Sequence, residues 1–294
     1  MEIRDQQFFI DGVRDRVDHL SRIQVWPGVT GAGCQSWLRQ FQDLDCGLLG
    51  ACLLDNLIYR SKAQTLALFR AVMTCPHLLP PSAASDFAFI KTLQGTRDPR
   101  IRLVPVIPGP PTKSGAYMLR LLDRDLNLNG RWQILAENLG QLPAAVHTVI
   151  AIDDFCGTGR QFVTRFLGLD TVRQLRRDRP ELRLIYMPAA AHQSGIDAIL
   201  AADPGLQVFP GETLNSDHHF FDGRVLERYK MNGLRDILND QYARILQAVP
   251  LGGGVGPKGY GELALTYAFE HTTPNNTLPI FWQKHERWFN LLER

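Results

Sequence analysis

Residues 148–167 read TVIAIDDFCGTGRQFVTRFL, and the rest of the chain can be placed relative to them. The first residues, Thr148 to Ile152, are apolar or β-branched, which is typical of a buried strand in a parallel sheet. Two carboxylates, Asp153 and Asp154, follow directly, and a turn of Gly157-Thr158-Gly159 comes next. The last residues have apolar side chains at helical spacing, so the stretch predicts a strand, an acidic pair, a tight loop and a helix.

A loop of this kind favours an anion, because successive backbone N–H groups and the positive end of the helix dipole converge on one point. The two carboxylates would repel a bare pyrophosphate, but they suit a ligand with a phosphate at one end and ribose hydroxyls or a magnesium ion at the other. No Gly-Lys-Ser/Thr ending of a Walker loop follows Gly159, and Phe162 stands where a dinucleotide fingerprint has its third glycine. The loop therefore predicts a sugar phosphate ligand.

Composition narrows the class of protein. A chain of 294 residues suffices for one large α/β domain or for two smaller ones. The net charge of +2 gives no electrostatic case for broad nucleic-acid or membrane binding. No signal-peptide layout and no membrane-spanning apolar run is visible, so we expect a cytoplasmic protein with no membrane partner. An odd number of cysteines without a CxxC pair fits reduced thiols: Cys34, Cys46, Cys52, Cys75 and Cys156.

The residues before the sheet predict a helical region. Apolar residues dominate Asp45 to Leu57, and Ser61 with Gln64 makes a capping box for a helix that ends near Met73. No strand is expected between Trp37 and Met73. We expect these helices to pack on the α/β core or to form a dimer surface.

From Ile101 onward, strand and helix patterns alternate, which predicts a parallel sheet with right-handed crossovers. The predicted domains are a helical region, 1–85, and an α/β domain, 86–294. The first strand is expected over Ile101 to Ile107, either at an edge of the sheet or with a local irregularity, because Pro105 lacks a ladder donor. The loop after it ends in Lys113-Ser114-Gly115, which is either a second phosphate-binding loop or a surface turn with a solvated lysine.

Two more strands are predicted beyond the central stretch, at Leu182 to Met187 and at Leu206 to Phe209. The loop between them, Pro188 to Gly195, places His192 at the carboxyl edge of the sheet, where open α/β sheets bind ligands. His192 is therefore either a contact to the leaving group or base, or a polar surface residue. A helix is expected over Arg224 to Val249, and a strand over Leu263 to Phe269.

Two segments of the C-terminal third invite functional interpretations. His218 and His219 lie close to acidic residues in the segment 216–222, but adjacent histidines rarely reach one ion, so structural packing is the favoured interpretation. The segment 251–262 is rich in glycine and predicts either a mobile lid or a passive linker. Its working side chains as a lid would be Lys258 and Tyr260.

The order of strand, Asp153-Asp154, spacer, Thr158-Gly159 and helix resembles the phosphoribosyl-diphosphate loop of the type I phosphoribosyltransferases. That family usually has a small hydroxyl residue two positions after the glycine, where this chain has Gln161. The Lys113 loop resembles the family's pyrophosphate loop. Together with Gly259-Tyr260, His271 and the Thr273 to Asn276 segment, the order is similar to the phosphoribosyltransferase-like effectors of bacterial conflict systems, some of them encoded beside retron reverse transcriptases.

The resemblance implies an α/β fold with a Rossmann-like parallel sheet of the type I phosphoribosyltransferase kind and an N-terminal helical region. It implies a glycosyltransferase that acts at ribose C1 of phosphoribosyl diphosphate or a nucleotide, with Mg²⁺, in anti-phage defence. Asp153 and Asp154 would hold the ribose hydroxyls, and through them or water the metal, while Lys113 and magnesium would take the pyrophosphate. The implied substrate and phosphate contacts are Phe155, Cys156, Gly157, Thr158, Gly159, Arg160, Gln161, Ser114, Gly115, Lys258 and Tyr260.

Two other functions stay open at this point. The first is a nucleotide-sensing module that has lost turnover, which Gln161 makes a real alternative. The second is a partner-docking protein whose helical region binds a reverse transcriptase and nucleic-acid complex, which in the enzyme interpretation would be its regulator. The direction of the reaction, the acceptor and a homo-oligomeric state are also left open by the sequence.

Overall fold

A computed structural model describes residues 3–74, 88–106 and 114–294. The chain divides into two compact units by its internal contacts. We call Met1–Ala63 with Asn215–Arg294 the terminal unit, and Gln64–Leu214 the central unit. The predicted α/β class, with a parallel sheet and a helical region at the N-terminus, is confirmed.

The N-terminal segment of the terminal unit is mainly helical. Its elements are α1 (Ile3–Arg22), α2 (Gly31–Gln42), α3 (Gly47–Asp55) and β1 (Ile58–Arg60), and then α4 (Lys62–Met73) leads into the central unit. The sequence did not predict β1, whose three residues carry too short a pattern to be recognised without their partner strand. Thr30 begins α2 as expected of an N-cap residue, since its side chain accepts a hydrogen bond of 3.0 Å from the Gly33 N–H.

The central unit alternates strands and helices along the chain. In order, its further elements are α5 (Ala88–Gln94), β2 (Ile101–Pro105), α6 (Ser114–Leu126), β3 (Thr148–Cys156), α7 (Asp170–Asp178), β4 (Arg183–His192), α8 (Gln193–Ala202), β5 (Gln207–Val208) and β6 (Glu212–Leu214). The strands lie in the order β2-β3-β4-β5, β6 also pairs with β4, and every pair is parallel. Among the described strands β2 lies at an edge, as Pro105 predicts.

The two central strands are longer than the sequence predicts. Strand β3 continues through Asp153 and Asp154 to Cys156, and β4 continues through the predicted loop as far as His192. The extension is a ladder in which Asp153 pairs with Pro188 and Cys156 with Ala191. Proline and alanine have weak strand propensity, so pairing with a neighbouring strand decides the conformation of this segment.

The C-terminal segment of the terminal unit contains α9 (Leu234–Ala248) and β7 (Tyr267–Phe269), and β7 pairs in parallel with β1. The single helix predicted over 224–249 is instead a 3-10 helix, Arg224–Tyr229, followed by α9. The break has a local cause, because Lys230 and Gly233 adopt left-handed backbone angles with φ of 48° and 70°. Neither conformation can continue a right-handed helix.

One core joins the two segments of the terminal unit. Trp37 of α2 stacks on Phe281 with ring centroids 5.2 Å apart, and its indole N–H donates to the Ile280 carbonyl at 3.1 Å. The Gln241 side chain of α9 accepts a hydrogen bond of 2.8 Å from the buried Leu49 N–H in the first turn of α3. The internal contacts of the chain thus place the boundaries between the two units near residues 63 and 214. The domain boundary at residue 85 stays a prediction from the sequence.

Within the described ranges, no helix combines the length and the apolar character that crossing a membrane requires.

Candidate functional site

The glycine loop follows the carboxyl end of β3. Gly157 and Thr158 are half-buried, Gly159 is buried, and the exposed residues Arg160 and Gln161 begin a helical turn. This turn includes a π-helix, Phe162–Phe166, where the sequence predicts an ordinary helix. Single-turn π-helices occur frequently at functional sites. The strand, the loop and a helical segment therefore occur in the predicted order.

Two glycines bring this loop against the first turn of α8. Gly159 has a φ of +72°, and a Cβ atom added to it would lie 2.6 Å from the Gly195 carbonyl oxygen. A Cβ atom on Gly195 would lie 2.2 Å from the Gly157 carbonyl oxygen and 2.9 Å from the Gly159 nitrogen. Since these neighbours are backbone atoms, no side chain can move aside for a larger residue. His192 caps the same turn, because its Nδ1 accepts a hydrogen bond of 3.2 Å from the Ser194 N–H.

The Asp153 carboxylate is buried and hydrogen-bonded at both oxygens. Ser114 Oγ donates to Oδ1 at 3.2 Å, the Asp154 N–H donates to Oδ1 at 3.1 Å, and the Tyr186 hydroxyl donates to Oδ2 at 3.3 Å. Asp154 is also buried, and its Oδ1 accepts a hydrogen bond of 2.8 Å from the Phe155 N–H. Three chain segments, at α6, β3 and β4, therefore meet at one pair of carboxylates.

Burial raises the pKa values of two side chains at the site, Asp153 and Cys156. Desolvation, and next the adjacent Asp154 carboxylate, raise the pKa of Asp153 well above 3.8. Burial, followed by the nearby Asp153 charge, raises the pKa of the Cys156 thiol to about 12. The Cys156 thiol therefore stays protonated and is a poor nucleophile, whereas Asp153 holds a proton at pH values where an exposed aspartate is ionised.

The structure brings together some of the predicted site residues. Gly115 lies against β3, since a Cβ atom added to it would be 2.9 Å from the Ile152 carbonyl oxygen, and Ser114 contacts Asp153 directly. These two residues and the segment 153–161 thus form one continuous group in the central unit. Lys113 lies outside the described residues.

The other two predicted residues, Lys258 and Tyr260, belong to the terminal unit. Lys258 Nζ lies 3.6 Å from Asp222 Oδ2 and 5.7 Å from the centroid of the Phe221 ring. The Tyr260 N–H donates to the Asn275 carbonyl at 2.7 Å, and Asn276 Nδ2 donates to the Tyr260 carbonyl at 2.7 Å. In the structure, Tyr260 of the glycine-rich segment is therefore fixed by backbone and side-chain hydrogen bonds to Asn275 and Asn276.

The histidine pair at residues 218 and 219 makes local contacts. His219 Nδ1 lies 3.4 Å from Asp222 Oδ2, and His218 Nδ1 lies 2.8 Å from Asn215 Oδ1. In the described part of the chain, no group of three or more His, Cys, Asp or Glu side chains could hold a metal ion. The local contacts of both histidines fit the structural interpretation of this cluster.

Sequence reasoning missed Tyr186 and the role of Gly195. Tyr186 is buried, stacks on Phe162 with centroids 4.1 Å apart, and reaches Asp153. No local motif signals this contact, because it depends on the parallel register that pairs Ala151 with Tyr186. Gly195 could have been recognised only as a glycine beside a predicted helix start.

Comparisons with known proteins give a family assignment. Residues 34–294 match the model of the PRTase-CE family. No curated protein and no solved structure matches the chain significantly. The matched region includes β3, the glycine loop and the Asp153-Asp154 pair, as well as most of the terminal unit. The chain therefore belongs to the PRTase-CE family, a family of phosphoribosyltransferase-like proteins.

Proposed function

We propose that the chain is a phosphoribosyltransferase-like enzyme that acts at ribose C1 of phosphoribosyl diphosphate or of a nucleotide. The observation that carries this proposal is the buried Asp153-Asp154 pair at the end of β3, followed at once by a glycine loop that packs on the first turn of α8. Membership of a phosphoribosyltransferase-like family supports it. Neither feature alone would specify a ligand with both a phosphate and a ribose.

The glycine loop would bind the 5′-phosphate. The positive end of the helical turn at residues 160–166 favours an anion, and the backbone N–H groups of the loop can donate to it. The Thr158 hydroxyl would add a side-chain donor. Gln161 takes the place of the family's small hydroxyl residue, so its amide would have to make that contact, while Arg160 adds a positive charge at the loop.

The acidic pair would bind the ribose. Carboxylate oxygens accept hydrogen bonds from hydroxyl groups, and Asp153 is held in place by Ser114 and Tyr186. A held carboxylate loses little conformational freedom when the sugar binds. The reaction would then proceed through an oxocarbenium-like state in which the C1–O bond to pyrophosphate breaks and the acceptor forms a new bond to C1. Positioning and charge neutralisation would supply the rate.

Magnesium fits this donor set as an ion that arrives with the substrate. Mg²⁺ prefers hard oxygen ligands and usually combines one or two carboxylates with substrate phosphates and waters. Asp153 and Asp154 would reach the ion indirectly, through the ribose hydroxyls or water. When bound, the ion would neutralise the leaving pyrophosphate, and Lys113 would add a further positive charge there.

The cellular setting is proposed from the resemblance. We propose a cytoplasmic enzyme of anti-phage defence, regulated by a reverse transcriptase and nucleic-acid complex, with a homo-oligomer as its working form. The alternative with a specific observation in its favour is a nucleotide-sensing module, because Gln161 replaces a phosphate-binding hydroxyl. A purely partner-docking protein would need neither the acidic pair nor the glycine loop for its function.

Calorimetric titration with phosphoribosyl diphosphate and Mg²⁺ tests the proposal. We expect the native chain to bind and the Asp153→Asn, Asp154→Asn double variant to bind about tenfold more weakly, since each hydrogen bond to a ribose hydroxyl that is lost costs roughly 0.5–1.5 kcal/mol. Urea unfolding of both proteins controls for misfolding. Equal affinity of the two folded proteins would contradict the site, and binding without cleavage or formation of a bond at C1 would favour the sensing module.

The stability of the protein should depend on the proton held by Asp153. A folded-state pKa raised above 3.8 means that the folded state binds more protons, so stability falls as pH rises from the unfolded pKa towards the folded one. For one proton this slope reaches about 1.4 kcal/mol per pH unit. The Asp153→Asn variant lacks this proton and is expected to be at least as stable as the native chain at pH 7.

Urea unfolding of both proteins between about pH 5 and pH 8 measures this difference. The free energy of unfolding of the variant should decrease less than that of the native chain as the pH rises over this range. Asp197→Asn, on the exposed side of α8, is the matched control. An Asp153→Asn variant with the native pH slope would show that Asp153 is ionised in the folded protein. A variant that gains stability but loses ligand binding would assign Asp153 to function rather than to folding.

A further inference from the structure

A cavity lies in the central unit, away from the acidic pair. Its volume is about 660 Å³, and its lining residues are Lys91, Thr92, Gly95, Arg97, Asp98, Pro99, Arg100 and Ala145. Most of these residues precede β2, and Ala145 precedes β3, so the cavity lies at the amino ends of these strands. The glycine loop follows the carboxyl end of β3, whose nine residues span about 26 Å.

The lining carries an excess of positive charge. Asp98 is the acidic residue of the lining, and Arg102 binds it with both nitrogens of its fork, at 2.9 Å and 2.8 Å. Hydrogen bonds from Arg102 lower the pKa of Asp98 to about 2, so Asp98 is ionised and its negative charge is offset by Arg102. In the part of the chain that the structure describes, no acidic side chain pairs with Lys91, Arg97 or Arg100. Among the described residues, these three cations therefore line the cavity without a salt bridge, and the charge of Arg100 also helps to lower the pKa of Asp98.

The backbone at Arg100 is held in an unfavourable conformation. Its φ of 59° lies in the left-handed region, which is energetically unfavourable for a residue with a Cβ atom. The Arg100 N–H donates to Asp98 Oδ1 at 2.7 Å, and its carbonyl accepts from the His147 N–H at 2.9 Å. Both backbone groups are thus fixed by neighbouring segments. Strain of this kind clusters at ligand sites.

The pKa of His147 depends on the positive charges at this edge of the sheet. Burial and then the charges of Arg100 and Arg183 lower its pKa. Arg183 is the first residue of β4, so positive charge extends along the amino ends of the strands. An anion in the cavity would reduce the repulsion by Arg100 and raise the pKa of His147.

We propose that this cavity binds a small molecule that carries two or more linked phosphate groups. Arginine and lysine are the usual partners of phosphate, and the three cations of the lining suit the charge of a di- or triphosphate. The volume lies within the range of small-molecule sites. Arg102 offsets the negative charge of Asp98, the acidic residue of the lining, which would otherwise repel such an anion. The site does not depend on the function proposed for the acidic pair.

Titration with inorganic triphosphate in the absence of Mg²⁺ tests this site. The test variant combines Lys91→Gln, Arg97→Gln and Arg100→Gly, since glycine accepts the left-handed backbone and should preserve the fold. Arg224→Gln removes an exposed arginine of the terminal unit that lies 3.5 Å from Glu227, and is the matched control. We expect the triple variant to bind triphosphate roughly thirtyfold more weakly or worse, and the control to bind as the native chain does.

Two further measurements keep the cavity distinct from the glycine loop. The Asp153→Asn, Asp154→Asn variant should bind triphosphate at the cavity, and the triple variant should retain binding of phosphoribosyl diphosphate with Mg²⁺. Triphosphate should also raise the pKa of His147, measured by NMR. Native affinity in a folded triple variant, no binding by the native chain, or a His147 signal that triphosphate leaves unchanged would each overturn the proposal.

Discussion

Replacing Gly195 with alanine is expected to destabilise the central unit by about 3 kcal/mol or more and to abolish binding of phosphoribosyl diphosphate. The added Cβ atom would lie 2.2 Å from the Gly157 carbonyl oxygen and 2.9 Å from Cys156 Sγ. Real Cβ atoms do not approach backbone oxygens so closely, so the first turn of α8 or the glycine loop must move. Either movement displaces the N–H groups that would bind the 5′-phosphate.

Chemical unfolding and calorimetry on the same preparation measure both effects. Gly140→Ala is the matched control, because a Cβ atom there meets nothing within 4 Å and its backbone is not left-handed. It should change stability by less than about 0.5 kcal/mol and leave binding unchanged. A folded Gly195→Ala variant that binds with native affinity would show that the loop does not contact the ligand.

Trp37→Ala is expected to destabilise the terminal unit by roughly 3–5 kcal/mol. Trp37 is wholly buried, stacks on Phe281 and meets Phe41 edge-on with centroids 4.5 Å apart. The Ile280 carbonyl keeps a hydrogen bond of 2.9 Å from the Trp288 indole after the change. The loss therefore comes from the cavity and the lost aromatic contacts rather than from an unsatisfied acceptor.

Urea unfolding followed by circular dichroism measures this loss. Phe8→Ala removes an aromatic ring from α1 that is 83% exposed, so it should change stability by less than about 0.5 kcal/mol. Trp37→Phe should recover part of the loss because a ring still stacks on Phe281. Equal stability of Trp37→Ala and Phe8→Ala would contradict the proposed core of the terminal unit.

The sequence predicts the parts of the fold that are local. The strand, acidic pair and glycine loop at residues 148–159 follow from composition and spacing alone, and Pro105 correctly indicates an edge strand. The contact between Asp153 and Tyr186 could not be predicted, because it requires the register of β3 against β4. A shift of one residue would turn the Tyr186 side chain to the other face of the sheet.

Long-range pairing is also the reason that the contacts within the terminal unit could not be predicted from the sequence. Strand β1 has three residues and pairs with β7, and Trp37 meets Phe281 in the other half of the terminal unit. Such contacts leave no pattern within a window of ten or twenty residues. Local irregularities could not be predicted from the sequence either. The π-helix after the glycine loop and the break at Lys230 depend on backbone angles rather than on apolar periodicity.

The division of the chain into units has a consequence for biosynthesis. The central unit is one continuous segment, Gln64–Leu214, so all its residues leave the ribosome before those of Asn215–Arg294. Helix α3 packs on α1 and α2, which precede it, but the side of α3 that meets α9 is covered only after Gln241 has been synthesised. Domains assembled from such distant segments form slowly. In a nascent chain of this protein, that side of α3 therefore stays exposed to water until α9 has been made.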